Sequence, residues 1–327
     1  MNMKGLYKLM LVLGLILSQT IAYAQDYNFS NHNTVPYSLN PASVGEANAI
    51  RLGVNYRMQW PVLNNYYHTV RVSYDQNVYK RMCSVGAFYT YDQMSSVYSV
   101  NEFGVVYSHT FRCADKHFIR LGLQGSVFYN KVDFSSLTFG DQYDPNGFIA
   151  PGSMENLENA SKTFFDFAVG ASYVFENHLT VGFAVYHVAQ PDNGFYDNSS
   201  YLPRRYVGSV KFIQDLKLNR GLLGQGFSDN YFFANANYQH QADYKNFYLG
   251  AGVCFEPVIV GAAYKTNLEE VHTASFMVGG YYKGFQLYYI FDLFTSDKKN
   301  GSWSNEISLI YTFPQENKKN RCPVVYW

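Results

Sequence analysis

The sequence predicts an all-β fold, a transmembrane outer-membrane β-barrel of about 14 antiparallel strands. Segments of about ten residues that alternate apolar and polar side chains recur along the chain, as in tilted membrane strands. Aromatic residues make up 18% of the chain and charged residues 15%, against about 25% charged in soluble domains. No apolar run reaches the ~20 residues of a membrane helix. These observations together favour strands that face lipid.

The first 24 residues have the three parts of a secretory signal peptide. Lys4 and Lys8 form a short positive region, and residues 9–17 form an apolar run that is too short to span a bilayer. Small residues at Ala22 and Ala24 then offer a cleavage site. We therefore expect cleavage near Ala24 and export to the outer membrane of a Gram-negative bacterium.

Residues 25–48 are polar and rich in turn residues, and we interpret them as a periplasmic N-terminal lead-in. Pro36 and Pro41 remove backbone donors that a strand ladder needs, so the segment is predicted to be ordered without being a strand.

Residues 49–313 carry the alternation and are predicted to form the barrel. In the first strand Leu52, Val54 and Tyr56 alternate with Arg51, Asn55 and Arg57. An arginine that faces lipid at the bilayer midplane costs about 2–4 kcal/mol, so the polar face is predicted to point inward. The predicted strands are 51–60, 68–75, 84–91, 97–111, 117–131, 163–175, 178–189, 202–212, 230–240, 247–255, 258–265, 272–282, 285–293 and 303–313.

Loop lengths predict which end of the barrel faces the periplasm. With both termini in the periplasm, the short turns at 76–80, 112–116, 176–177, 256–257 and 283–284 all lie on that side. The long connections at 133–162, 190–201 and 295–302 all lie outside, as in known barrels. Residues 214–229 are the exception, a long Gly-rich periplasmic turn that is either a docking segment or a plain flexible loop.

Residues 314–327 are predicted to form a periplasmic C-terminal tail. Lys318, Lys319 and Arg321 precede an apolar end that contains Cys322 and Pro323, a pattern that suits either docking of a partner or capping of the barrel. The four cysteines are scattered without a C-x-x-C, so no zinc site is expected, and any disulfide pairing stays open.

The sequence offers no motif for catalysis or for a cofactor. The eight histidines include no ligand-spaced pair, and G-x-S-x-G and phosphate-binding loops are missing. Residues 141–147 imitate a calcium loop, but Gln142 and Ser153 would stand where acidic ligands are needed, so a plain turn is expected. A formal net charge of zero gives no basic field for nucleic acid. We therefore expect no enzyme, no metal, no cofactor and no small-molecule substrate.

Several stretches resemble the PorP/SprF family of type IX secretion membrane proteins. They are Leu39-Asn40-Pro41-Ala42 with Gly45, Arg57-Met58-Gln59-Trp60, Ser73-Tyr74-Asp75, Val132-Asp133-Phe134 with Leu137 and Asp141, Asn305-Glu306-Ile307-Ser308-Leu309, and Cys322-Pro323. The strand before the last departs from the family pattern, with Tyr289-Ile290-Phe291-Asp292 in place of a Gly-rich Ser-Tyr-Asp-like strand.

The resemblance implies a non-catalytic role in the type IX pathway, which moves folded proteins with a C-terminal signal across the outer membrane and supports gliding motility through surface adhesins. Implied partners are the lipid bilayer, periplasmic ring or peptidoglycan-binding components, and a secreted adhesin. The candidate docking residues are Asn40, Pro41, Arg57, Gln59, Trp60, Asp75, Cys322 and Pro323. Arg57 and Trp60 are either a cation–π or docking pair at the rim, or a lumen arginine and an unrelated girdle tryptophan.

Two other functions stay open on the residues alone, a porin-like or hydrophobic-solute channel and an outer-membrane enzyme. An open lumen would favour the channel. Side chains and inward segments that fill the lumen would favour the secretion partner.

Overall fold

The computed structural model describes residues 26–47, 49–61, 67–78, 82–134, 142–144, 147–148, 160–176, 178–195, 199–216, 230–269, 271–295 and 303–313. The predicted signal peptide and C-terminal tail, including Cys322 and Pro323, lie outside the described residues. So do most of the predicted long turn at 214–229 and part of the loop at 141–147.

Fourteen antiparallel strands close into a barrel, which confirms the predicted fold class. The strands of the structure are β1 Ile50–Gln59, β2 Tyr67–Val78, β3 Cys83–Met94, β4 Tyr98–Ala114, β5 His117–Val132, β6 Tyr143–Asp144, β7 Gly147–Phe148, β8 Ala160–Phe175, β9 Leu179–Tyr186, β10 Arg205–Asp215, β11 Tyr231–Gln241, β12 Tyr244–Phe255, β13 Val258–Thr266, β14 His272–Tyr282, β15 Phe285–Phe294 and β16 Trp303–Phe313. The barrel strands are joined by hydrogen bonds in chain order, and β1 pairs with β16 to complete the ring. The other two strands, β6 and β7, form a separate two-stranded sheet in the loop between β5 and β8.

The alternation sorts side chains to the two faces of the wall as the sequence predicts. Across the β1–β16 closure Val54 is paired with Leu309, and both are exposed, at 45% and 44%. The next pair, Asn55 and Ser308, points inward and is buried. Arg51 and Arg57 also point inward and are buried. The polar face is therefore the lumen face, and the apolar face is the outer surface.

The two ends of the barrel differ in their connections. We call the end at which β1 begins and β16 ends the base, and the opposite end the mouth. Because strands alternate in direction, the turns that follow β2, β4, β8, β10, β12 and β14 all lie at the base. The long connections between β5 and β8 and between β9 and β10 lie at the mouth.

Tyrosine and histidine pairs mark both rims of the outer surface. The hydroxyl of Tyr56 lies 2.7 Å from His68 Nδ1 at the mouth, and that of Tyr173 lies 2.6 Å from His117 Nδ1 at the base. Trp60, directly after β1, packs edge-on against Tyr67 with 5.1 Å between ring centroids. Such side chains bury a ring in an apolar layer while keeping a polar tip satisfied, which suits a membrane interface.

The N-terminal segment differs from its predicted location. The sequence predicted a lead-in beyond the barrel, but the described residues 26–47 lie inside it, against the inward faces of strands all round the wall. We call residues 26–47 the plug. Its Ser, Thr, Asn and charged side chains match the polar lumen face and hydrogen-bond to it. Among the described residues, no helix is long and apolar enough to span a membrane.

Candidate functional site: the plugged lumen

The plug runs from the mouth to the base without joining the strand ladder. Two short 3-10 turns, Pro36–Ser38 and Pro41–Ser43, each place proline at the start, where no backbone donor is needed. Asn40 caps the second turn by accepting a hydrogen bond from Ala42 N at 2.9 Å. Gly45 then takes a positive φ of 70° that glycine adopts without strain, and the chain reverses into β1.

Apolar side chains of the plug fill two parts of the lumen. Val35, Tyr37 and Val44 form one buried cluster with Phe88 and Val106 of the wall. A second cluster joins Leu39 to the wall residues Ala168, Ala184, Tyr186 and Val207. These contacts remove apolar surface from the water that an open lumen would hold.

Glycines in the wall make room for the second 3-10 turn. A Cβ on Gly122 of β5 would overlap the backbone of Pro41 and Ala42, and one on Gly170 of β8 would overlap the Asn40 side chain. Asn40 also donates to Ala171 O at 2.9 Å. The turn and the wall are therefore packed backbone to backbone at this level.

Arg57 is the centre of a buried ion cluster that grips the plug near Ser30. Its guanidinium lies 2.9 Å from Asp292 Oδ2 and 3.3 Å from Glu306 Oε2. Glu306 accepts the backbone N–H groups of Ser30 and Asn31 at 2.6 and 3.0 Å. Lys265 Nζ lies 3.0 Å from Asp292 and also bonds the Ser30 hydroxyl. Wall charges and plug backbone therefore satisfy one another.

A second group of charges holds the plug at the base. Lys211 Nζ lies 3.1 Å from Glu46 Oε2, and Asp75 pairs with Arg51 at 3.1 Å while accepting from Gly45 N at 3.2 Å. Burial raises the pKa of the Glu46 carboxyl, but attraction to Lys211 and then to Arg120 outweighs it and holds this pKa below its usual value. Glu46 therefore stays ionised.

A third group holds the start of the plug at the mouth. Asp26 lies 2.8 Å from His187 Nε2 and 3.1 Å from Arg205, and Asp166 lies 2.9 Å from His187 Nδ1. Burial lowers the pKa of His187, but the two carboxylates outweigh it and raise this pKa to about 9. Burial raises the pKa of Asp26, but attraction to His187 and then to Arg205 outweighs it and holds this pKa below its usual range. At neutral pH His187 is therefore an imidazolium between two carboxylates.

Tyr27 joins the plug to the β2–β4 side of the mouth. Its hydroxyl bonds Glu102 and accepts from Arg71 at 2.8 Å. The Arg71 guanidinium also lies 4.2 Å from the centroid of the Phe88 ring.

Buried ion pairs of this kind tie the plug to one position. A buried pair contributes little net stability when complete, but removing one partner costs about 3–5 kcal/mol because the other charge is left unpaired. The plug therefore fits this lumen in one register. If it were displaced, buried acidic and basic side chains would both lose their partners.

An open cavity lies at the mouth above the plug. Its empty volume is about 870 Å³, including space open to solvent. Asp26 to Phe29 form its floor, and Phe128, Phe164 and Tyr98 contribute to its walls.

The predicted docking residues separate into three groups. Asn40, Pro41, Arg57 and Asp75 are buried in the lumen and hold the plug. Gln59 and Trp60 lie at the mouth rim, where Trp60 N donates to Trp303 O at 3.1 Å. Cys322 and Pro323 lie outside the described residues. Arg57 was predicted to be either a rim residue that pairs with Trp60 or an arginine of the lumen. In the structure it lies in the lumen and is paired with the carboxylates of Asp292 and Glu306.

The sequence analysis missed the partners of these residues. They are Lys211, Lys265, Asp292, Glu306, Asp166 and His187. A signal was present for most of them, since each strand residue among them is charged at an inward position of an alternating segment, where lipid exposure is excluded. Sequence could not indicate which plug residue each would meet.

Metal and disulfide sites are not found in the described part of the chain. It holds no group of three or more metal-ligating side chains. Among the described residues, Cys83, Cys113 and Cys254 form no disulfide with one another.

Comparisons with solved structures return other outer-membrane barrels. The outer membrane protein Omp33 of Acinetobacter baumannii is 10% identical, with 82% of this chain and 100% of that chain covered and a TM-score of 0.45. The CymD monoaromatic hydrocarbon channel is 12% identical, covers 89% and 95%, and has a TM-score of 0.49. A FadL homologue of Pseudomonas aeruginosa is 12% identical, covers 84% and 92%, and has a TM-score of 0.47.

Comparisons of sequence give one result. No curated protein matches the chain. The family model described as "Type IX secretion system membrane protein PorP/SprF" matches residues 21–311, most of the chain.

Proposed function

Because the chain belongs to the PorP/SprF family of type IX secretion system membrane proteins, we propose that it supports secretion or surface anchoring of cargo by binding partner proteins. It acts without catalysis and without conducting solutes. As a barrel of this family it is a component of the outer membrane.

The plugged lumen is the observation that carries the proposal. A porin-like channel needs a continuous water path from base to mouth, whereas here a segment of the chain itself runs through the lumen and is tied to the wall by ion pairs. A filled barrel instead offers a rigid body whose two ends are available to partners. This supports the secretion role over the channel.

The two ends divide the partners between them. Under the proposal the base faces the periplasm and meets ring or peptidoglycan-binding components, and the tail at 314–327 adds to that surface. The mouth faces outward and meets cargo such as an adhesin, with Gln59 and Trp60 on its rim. The buried residues Asn40, Arg57 and Asp75 serve docking indirectly, since they hold the plug.

A deletion strain tests the proposal. We expect proteins with type IX C-terminal signals to be lost from the surface and to accumulate in the periplasm, as measured by fractionation and mass spectrometry, while small-solute uptake stays normal. Recovery of type IX components in a pull-down should fall when the chain is truncated after Gln315. Normal secretion in the deletion strain, together with large stable conductance from the pure barrel, would overturn the proposal in favour of the channel.

A further inference from the structure

The plug begins at the mouth, so the predicted cleavage of the signal peptide would leave the new chain end there. Asp26 is the first described residue, and its carboxylate pairs with His187 and Arg205. With cleavage after Ala24, only Gln25 precedes Asp26, and the α-amino group of Gln25 lies within about 5 Å of the Asp26 Cα. Cleavage would therefore bring one positive charge to the mouth cavity, whose floor includes Asp26.

The described residues that line this cavity include one more carboxylate than cations. The carboxylates are Asp26, Asp92, Asp166 and Glu102, and the cations are Arg71, Arg205 and the imidazolium of His187. Asp26 and Asp166 lie 2.8 and 2.9 Å from His187, and Glu102 lies 3.9 Å from Arg71. The cation that would balance the group therefore belongs beside Asp92.

Asp92 is a buried carboxylate without a cation. It stands on the inward face of β3, is only 3% exposed and lines the cavity. Its Oδ1 accepts the Thr69 hydroxyl at 2.5 Å, and its Oδ2 has no hydrogen-bond partner among the described residues. A buried carboxylate is costly unless it is paired with a charge or gives up its own. A cation that reaches Asp92 from the cavity would therefore stabilise the folded barrel.

A tethered ammonium suits this position better than a free ion. A metal ion needs several oxygen ligands, and the described residues include no group of three metal-ligating side chains. An ammonium needs one acceptor at a time and little space. Because it is attached one residue before Asp26, its effective concentration at the cavity is on the order of millimolar or higher.

We propose that removal of the signal peptide creates an ion pair between the α-ammonium of Gln25 and Asp92, which fastens the start of the plug. Signal peptidase hydrolyses the Ala24–Gln25 bond with water, and this leaves a carboxylate on Ala24 and an ammonium on Gln25. The precursor has an amide in place of the ammonium and cannot form the pair. The plug is therefore fully secured only in the processed chain. This inference rests on the predicted cleavage site and does not depend on the secretion role.

Acetylation of the α-amino group tests the proposal on the purified, processed barrel in detergent. A water-soluble N-hydroxysuccinimide ester reacts only with the neutral amine, and pairing with Asp92 should raise the pKa of this amine above its ordinary value of about 8. Near pH 7 we expect Gln25 to be acetylated about tenfold more slowly in the wild type than in Asp92→Asn, which corresponds to about one pKa unit. Mass spectrometry of the N-terminal peptide measures both rates and their pH profiles.

The matched control is Asp133→Asn, the same substitution at a mouth carboxylate that pairs with Lys131 outside the cavity. It should leave acetylation unchanged. Insertion of two glycines after Ala24 moves the ammonium away from Asp92 and should speed acetylation as Asp92→Asn does. Heat-modifiable migration on a gel shows that each variant is folded. Equal pH profiles in wild type and Asp92→Asn, a first residue other than Gln25, or a Gln25 cyclised to pyroglutamate would each overturn the proposal.

Discussion

The wall and the plug of this barrel are held by different forces. Wall strands are joined by backbone hydrogen bonds around a closed ring, and their apolar faces meet lipid. The plug has no ladder and is fixed by side-chain ion pairs, capped turns and close packing on wall glycines. We therefore expect the lipid-facing positions of the wall to tolerate any apolar residue, whereas the plug and the lumen positions that touch it depend on particular partners. Single substitutions should therefore affect the wall and the plug differently.

The largest effect is expected when the ion cluster that grips the plug loses its centre. Arg57→Ala leaves Asp292 and Glu306 buried without their guanidinium, and we expect about 3–5 kcal/mol of destabilisation in urea unfolding of the barrel in detergent. The matched control is Arg112→Ala, whose partner Asp115 is exposed, and which should cost under about 1 kcal/mol. Equal effects would show that Arg57 is not buried against the plug.

An arginine placed on the lipid face or on the lumen face of β16 distinguishes effects on the wall from effects on the plug. Leu309→Arg places a cation on the lipid face and should cost about 2–4 kcal/mol, blocking assembly of the folded barrel. Ser308→Arg points inward, where Ser308 contacts Asn55 and Thr34, so the barrel should form with its plug displaced. Heat-modifiable migration reports the barrel, and limited proteolysis near residue 30 reports the plug. Loss of folded barrel in both variants would contradict the assigned faces.

Overpacking of the wall should act on the plug alone. Gly122→Val collides with the backbone of Pro41 and Ala42, and we expect the shifted turn to cost about 1–3 kcal/mol of stability while the ion pairs keep the plug in the lumen. Gly125→Val, on the same strand, meets only the Phe167 ring at 3.9 Å and is the control. Urea unfolding of the barrel in detergent should show the loss for the first variant only. Equal stability of the two variants would show that the contact is not made.

The smallest effect is local and depends on pH. Because the pKa of His187 is raised to about 9, its stabilising contribution is complete below its ordinary value near 6.5 and is lost as pH rises through 9. Asp26 has a lowered pKa, so its contribution is lost only in acid. The protection factors of the amides at residues 26–29, which are corrected for the base-catalysed intrinsic exchange rate, should fall about tenfold between pH 7 and pH 10, with little change at Glu46. In His187→Gln most of this fall should disappear.

The wall was predictable from sequence for a physical reason. A strand with one face in lipid and one in a polar lumen must alternate apolar and polar residues along its length. The first strand from Arg51 and the closing strand to Phe313 can therefore each be recognised from their own residues. The predicted bounds differ from the structure mainly at strand ends, where β4 and β8 run several residues further.

The plug was not predictable in the same way. Pro36 and Pro41 excluded a strand, and the described segment indeed forms short turns. Its place, however, depends on contacts such as Ser30 N to Glu306, which are 276 positions apart. Because the segment has no periodicity, its sequence does not specify such a pairing and predicts only a polar lead-in in the periplasm.

The most direct test of the account joins the plug to the wall covalently. Thr34 Oγ1 and Ser308 Oγ lie 3.4 Å apart, so Thr34→Cys with Ser308→Cys, in a background without other cysteines, should form a disulfide in high yield under mild oxidation. Thr34→Cys with Leu309→Cys, whose second thiol faces lipid, should not. Mass spectrometry of the oxidised barrel reads both. A disulfide in the first variant alone is the predicted result, and two free thiols in that variant, both open to maleimide, would contradict a plugged lumen.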